Sequence, residues 1–244
     1  MTFDASIGSA AQRVFVSIDT PEIEAARGLA ERLAGIVGGV KLGLEFFVGQ
    51  GPAGIRAVMG GMAAEVRPPL FLDLKLHDIP NTVAAAVRAM LPLQPAFLTI
   101  HTSGGPAMMR AAVEAASMTD LPRPRLLGVT VLTSLDDDDL VSVGQGVSVL
   151  DQARRLAELA QSCGLDGIIC SPAEVAALRA DRGPDFVLMV PGIRPTGAPV
   201  GDQKRVMTPR DAVDQGADFL VIGRPITQAA DPAAAARAIV KELL

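Results

Sequence analysis

Eight short runs of apolar, often β-branched residues recur along the chain, each followed by enough sequence for a helix. They are VFVSI (14–18), GVKLGL (39–44), LFLDLKL (70–76), FLTIH (97–101), LLGVTVL (126–132), GIICS (167–171), FVLMV (186–190) and FLVIG (219–223). The runs are nearly continuous in hydrophobicity, the pattern of strands covered on both faces. Ala-rich segments with helical spacing separate them. Strand and helix are therefore expected to alternate around a parallel sheet.

The junctions support this. Thr20-Pro21, Ser171-Pro172, Thr208-Pro209 and Asp231-Pro232 each place a capping side chain before a proline. The side-chain oxygen accepts from free helix N–H groups, and proline at the first helical position forfeits no needed bond. Ser171 and Glu174 also have capping-box spacing. Eight such repeats in 244 residues favour an α/β fold of the closed (β/α)8 TIM-barrel type over a doubly wound open sheet. No Pro/Gly/Ser-rich linker divides the chain, so residues 1–244 are expected to form one domain. In such barrels chemistry gathers where the strands end. Those ends carry Asp19, Lys41, Asp73, Lys75, His101, Thr133, Ser171, Arg194 and Arg224.

Composition narrows the partners. A hydrophobic content of 49 % suffices for a sizeable core, and the net charge of −5 argues against nucleic acid as a partner. An anionic small molecule needs only a local basic cluster. No window approaches 18 uninterrupted apolar residues, so no membrane span is expected. The start, MTFDASIGSAAQR, lacks the basic stretch and apolar core of a secretion signal. Cys163 and Cys170 match no metal or redox spacing and read as buried apolar residues in a reducing, cytoplasmic setting. Trp and Tyr are absent, which weakens any reading that needs stacking on bases.

The third run raises the chemical question. In LFLDLKLHDIPNTV (70–83), Asp73, Lys75, His77 and Asp78 interrupt an apolar strand. Alternation places Phe71, Asp73 and Lys75 on one face and Leu72, Leu74 and Leu76 on the other. The leucines suit the helices, which leaves Asp73 and Lys75 pointing into the barrel. A buried ion pair that merely fixes register is one reading, though such pairs seldom add stability. Two carboxylates, Asp73 and Asp78, flanking one lysine favour its ammonium form. An ammonium held charged in a dry pocket can act as a general acid. A metal site of Asp73, His77, Asp78 and His101 is disfavoured, because a cation would repel Lys75 and no HExxH or Cys/His cluster is present. His77 and His101 are expected to make structural hydrogen bonds instead.

FLDLKLHDIPNTV resembles the signature of the orotidine 5′-phosphate decarboxylase family in its bacterial form. The similarity covers the whole chain: VSID (16–19), VKLGLEFF (40–47), VTVLTS (129–134), PGIRP (191–195), GDQKRVMTP (201–209) and VIGRPI (221–226) follow in the family's order. A small departure is Ser17-Ile18, where the family usually carries Ala-Leu. The resemblance implies decarboxylation of orotidine 5′-phosphate to uridine 5′-phosphate and CO2 in de novo pyrimidine biosynthesis, with neither cofactor nor metal. It implies Lys75 as proton donor to C6, Asp73 beside the departing carboxylate, Lys41 and Asp19 on the ribose, and Thr133 on the pyrimidine. It assigns the phosphate to Arg224 and Gly223, with Gln203 and Arg194 alongside. It also implies a homodimer in which Asp78 and Thr82 reach the neighbouring subunit's site; spacing alone leaves Asp78 equally free to act in its own subunit.

Physical chemistry agrees about the phosphate. The last two strand ends, PGIRP and IGRP, are basic and glycine-containing, as in barrels that bind phosphate after strands seven and eight. Arg224 offers forked donors, and Gly223 permits close backbone approach. Residues 192–207 form a long loop carrying Gln203, by composition either a surface loop or a lid; the resemblance favours the lid. GQGPAG (49–54) fits GxGxxG, but four residues separate it from the strand and Pro52 occupies the turn, so it is read as a glycine-rich loop.

Two rivals remain. Mg-dependent sugar-phosphate lyases or decarboxylases of the same barrel superfamily share Asp-x-Lys-x-x-Asp but place an acidic residue where Lys41 stands. A non-catalytic phosphosugar-binding barrel would have no need of the buried charged strand.

Overall fold

The computed structural model describes residues 9–195 and 207–244. Eight parallel strands close in sequence order, with the first paired to the last. They are β1 Val14–Ile18, β2 Gly39–Gly43, β3 Leu70–Leu76, β4 Phe97–His101, β5 Arg125–Val129, β6 Gly167–Ile169, β7 Val187–Val190 and β8 Phe219–Ile222. The expected TIM barrel is thus the observed one.

The helices that cover it are α1 Ile23–Leu33, α2 Leu44–Gly60, α3 Pro80–Met90, α4 Gly105–Ser117, α5 Asp137–Ser142, α6 Val149–Ser162, α7 Val175–Arg182, α8 Pro209–Asp214, α9 Arg224–Thr227 and α10 Pro232–Glu242. The outward strand residues Val14, Val16, Ile18, Leu72, Leu98 and Ile100 are buried beneath them in one large core. Among the described residues no helix is long and apolar enough to cross a membrane. Cys163 and Cys170 are free and buried. Burial, with the nearby Glu174 charge, holds the Cys170 thiol well above its ordinary pKa, so it stays neutral and packs as an apolar group.

Inside the barrel the inward-facing residues stack in layers. Phe15, Phe71, Phe97 and Phe219 form an apolar floor. The Phe15–Phe97 and Phe15–Phe219 centroids lie 5.3 and 5.6 Å apart in edge-to-face contact, a preferred aromatic geometry. Gly39 makes room for this floor, since a Cβ there would fall 2.2 Å from the Phe15 ring. Two residues further along each strand, period two places Ser17, Lys41, Asp73 and Thr99 in the layer above. An aromatic floor therefore supports a polar layer.

Several expectations need correction. β5 stops at Val129 instead of running to 132. The Thr130 hydroxyl donates to the Ile169 carbonyl at 3.0 Å, and the chain then leaves the ladder, so Thr133 lies in the following loop instead of at the strand's end. β6 likewise stops at Ile169. The Thr208 and Asp231 caps form as expected. Thr20 does not cap α1, whose N-cap position is Glu22; its hydroxyl instead accepts from the Glu22 N–H at 3.3 Å. Ser171 and Glu174 meet through the Ser171 N–H, which donates to Glu174 Oε2 at 2.9 Å. GQGPAG is not a loop but a kink inside α2, where Gly51 has φ 60°. Glycine reaches that conformation without the Cβ clash, and Pro52 begins the second helical segment.

Candidate active site

The site is built where β3 breaks its pairing with β4. Leu72 pairs with Leu98 and Leu76 with Ile100, so Asp73, Leu74 and Lys75 bulge opposite Thr99 alone. Lys75 takes φ 49° there, a left-handed conformation that costs a non-glycine residue about 1–3 kcal/mol. Such bulges re-aim side chains beside functional sites. Here the bulge lets Lys75 turn back on Asp73: Lys75 Nζ donates to Asp73 Oδ2 at 2.8 Å.

β2 adds a second cation. Lys41 Nζ lies 3.5 Å from Asp73 Oδ2 and 3.5 Å from Asp19 Oδ1. The result is an alternating chain of charge, Asp19–Lys41–Asp73–Lys75, across the first three strands. All four line one cleft together with Glu45. At an effective dielectric near 20, unit charges about 4 Å apart interact by roughly 4 kcal/mol, enough to bias the ionisation of Asp73. Burial of Asp73 favours its neutral form, but the charges of Lys41 and Lys75 and hydrogen bonds from Lys75 and Thr99 outweigh it. The carboxyl is held below its ordinary value of 3.8.

Two hydroxyls that sequence reasoning did not select support the carboxylates. Ser17 Oγ donates to Asp19 Oδ1 at 2.8 Å. Thr99 Oγ1 donates to Asp73 Oδ1 at 3.0 Å and accepts from the Lys75 N–H at 2.9 Å. Period two on β1 and β4 places both inward, yet their residue types gave no separate signal.

β8 delivers the basic end. Gly223 abuts β1 closely: a Cβ there would lie 3.3 Å from Ser17 Cβ and 3.6 Å from Asp19 Oδ2. Arg224 follows as the exposed first residue of α9. Arg194 is tied in place, its N–H donating to the Met207 carbonyl at 2.9 Å and its Nη1 to the Ile193 carbonyl at 2.9 Å. The Arg194 N–H bond and the Ile193–Met207 bridge join the described residues on either side of 196–206. Gln203 lies outside the described residues.

A model of the orotidine 5′-phosphate decarboxylase / HUMPS family matches residues 12–239. The chain belongs to that family. It is 55 % identical over 235 residues to an orotidine 5′-phosphate decarboxylase of Rhodospirillum rubrum, covering 95 % of this chain and 94 % of the relative. Against the enzyme of that name from Paramagnetospirillum magneticum the identity is 57 %, covering 94 % and 97 %. The crystal structure of orotidine 5′-phosphate decarboxylase from Lactobacillus acidophilus superposes with a TM-score of 0.82 at 36 % identity, covering 94 % of this chain and 98 % of that one.

The fold of this decarboxylase-family chain gathers Asp19, Lys41, Asp73 and Lys75, with Gly223 close by. It does not gather Asp78 or Thr82. Both are exposed, and the Asp78 carboxylate accepts from the Ile79 N–H at 2.6 Å. The expectation that Asp78 flanks Lys75 is therefore not met within a single chain. His77 and His101 face each other, ring centroids 5.3 Å apart and planes tilted by 33°. Burial, the neighbouring His77 and the Lys75 charge hold His101 below its ordinary pKa of 6.5, against a smaller opposing pull from Asp73.

Proposed function

We propose that this chain is a single-domain carboxy-lyase that converts orotidine 5′-phosphate to uridine 5′-phosphate and CO2, the decarboxylation step of de novo pyrimidine biosynthesis, in the cytoplasm. The observation that carries this reading is the Asp19–Lys41–Asp73–Lys75 array, with Lys75 Nζ at 2.8 Å from Asp73. The family relationship supports it. Lys41 speaks against the Mg-dependent sugar-phosphate enzymes of the same superfamily, which carry an acid at that position, and the charged strand speaks against a barrel that only binds.

The chemistry follows from the charges. Breaking the C6–carboxylate bond leaves an electron pair in the plane of the pyrimidine ring, where delocalisation is poor. Electrostatics and positioning must then lower the barrier. The Lys75 ammonium stabilises the pair as it forms and delivers its proton to C6, leaving a neutral amine that solvent reprotonates. Asp73 sits beside the substrate carboxylate, and their repulsion is relieved as CO2 departs. Lys41 keeps Asp73 ionised while binding a ribose hydroxyl with Asp19. Thr133 contacts the pyrimidine. Arg224 and Gly223, with Arg194 and Gln203, hold the phosphate. The phosphate is a non-reacting group, so energy from binding it can be used at the ring.

The working form is a homodimer with shared sites, in which Asp78 and Thr82 of the partner subunit complete each array. Their exposure supports this, as does Ile79 between them, which leaves 66 % of its surface to solvent.

The test is to add orotidine 5′-phosphate to the purified protein in excess EDTA and follow ultraviolet absorbance and CO2 release. Rapid conversion is expected. Inactivity towards it, with Mg²⁺-dependent turnover of a sugar phosphate, would overturn the reading.

A further inference from the structure

We infer that Thr99 is a positioning residue for the Asp73–Lys75 pair, aiming both groups from the neighbouring strand. The inference rests on the proposed decarboxylation and adds to it a residue outside the charged array.

The geometry begins with the bulge. In a regular parallel ladder each residue of β3 would meet its own neighbour on β4. Here Leu72 meets Leu98 and Leu76 meets Ile100, so three residues of β3 face Thr99. The Lys75 N–H is thereby deprived of the carbonyl a regular ladder would offer, and buried N–H groups require an acceptor. Thr99 Oγ1 supplies it at 2.9 Å. That bond holds the backbone at the point where Lys75 adopts φ 49°.

The same oxygen carries one proton, and that proton goes to Asp73 Oδ1 at 3.0 Å. The two carboxylate oxygens are thus divided between different tasks. Oδ1 is held by the hydroxyl, whereas Oδ2 faces Lys75 at 2.8 Å and Lys41 at 3.5 Å. A hydrogen bond to one oxygen restrains rotation of the carboxylate, which keeps its other oxygen aimed at both ammonium groups. Thr99 has no solvent exposure, so water cannot substitute for it. Its inward aim is fixed by alternation from Phe97, which is locked into the aromatic floor.

One hydroxyl therefore couples the conformation of the Lys75 backbone to the orientation of the Asp73 carboxylate. A side chain of equal shape without the hydroxyl leaves a part-buried N–H and a part-buried carboxylate oxygen each short of a partner, and each relaxes toward another geometry. Small errors in placement at a reacting centre are costly in rate. Substrate affinity set by the phosphate and ribose contacts on other strands should change little.

The experiment compares Thr99→Val, Thr99→Ser and the parent protein in steady-state decarboxylation of orotidine 5′-phosphate. Thr99→Val should lower kcat by about ten- to a hundredfold, the scale of losing a hydrogen bond to a charged group, with KM held within about threefold. Thr99→Ser keeps the hydroxyl and should restore kcat to within about threefold of the parent. A Thr99→Val kcat within threefold of the parent overturns the inference, as does a loss confined to KM or a Thr99→Ser protein as slow as Thr99→Val. If Thr99→Val fails to fold, Thr99→Ala removes the same hydroxyl without a second methyl and is held to the same outcomes. A parent protein without turnover refutes the functional reading itself, which separates the two failures.

Discussion

Lys75 Nζ and Asp73 Oδ2 are 2.8 Å apart, although the two residues lie on one strand with only Leu74 between them. A regular strand holds same-face side chains farther apart, and the left-handed turn at Lys75 closes the gap. The pair thus stands, before any substrate enters, as an anion beside the proposed proton donor.

Lys75→Ala removes the proposed donor but leaves Lys41 to balance Asp73. Turnover should fall by at least about 10²–10⁴-fold, the usual contribution of a positioned acid, while uridine 5′-phosphate binding by calorimetry stays measurable. Turnover of the variant near the parent's rate would exclude Lys75 as the proton source.

A shared site predicts complementation. Asp78→Asn and Lys75→Ala proteins are each expected to be nearly inactive. Unfolded together at equal concentration and refolded, they should give hybrids in about half of the dimers, each with one of two sites intact, or roughly a quarter of parental activity. Hybrids shown to form by mass spectrometry yet lacking activity would place Asp78 outside the neighbouring site.

The barrel was legible because parallel strands buried on both faces leave an unmistakable apolar rhythm, and β1, β3 and β4 lie where that rhythm placed them. The inward aim of Asp73 was legible for the same reason. The bulge at Asp73–Lys75 was not, since alternation assumes regular pairing and nothing in LFLDLKL announces a break. Thr99 and Ser17 were passed over because hydroxyls on strands are common, and only the partner's position distinguishes a useful one. VTVL has strand composition, which puts Thr133 at a strand's end; β5 stops at Val129, beside a long-range Thr130 contact to Ile169. Asp78 follows the strand closely in sequence, but past Leu76 the chain leaves the ladder and alternation no longer fixes its aim.

Ser17→Ala tests the support of Asp19. The Ser17 hydroxyl and Lys41 both address Asp19 Oδ1, and Asp19 is otherwise exposed. Loss of this one part-buried bond should raise KM by about two- to tenfold with kcat little changed, because a typical hydrogen bond contributes only about 0.5–1.5 kcal/mol. A fall in kcat at constant KM would assign Ser17 to the chemical step instead.

The site also predicts how the fold responds to acid. His101 in the folded chain is held below 6.5, so below pH 6.5 the unfolded chain binds more protons at this residue than the folded one. Stability must then fall as pH drops through 6.5 toward the folded value, and be insensitive to His101 above it. Asp73, held below 3.8, adds a second loss of the same sign as pH falls through 3.8. Thermal midpoints measured against pH should therefore decline in two stages. His101→Gln should flatten the upper stage and leave the lower one in place. An unchanged upper slope in that variant would show that another group titrates there.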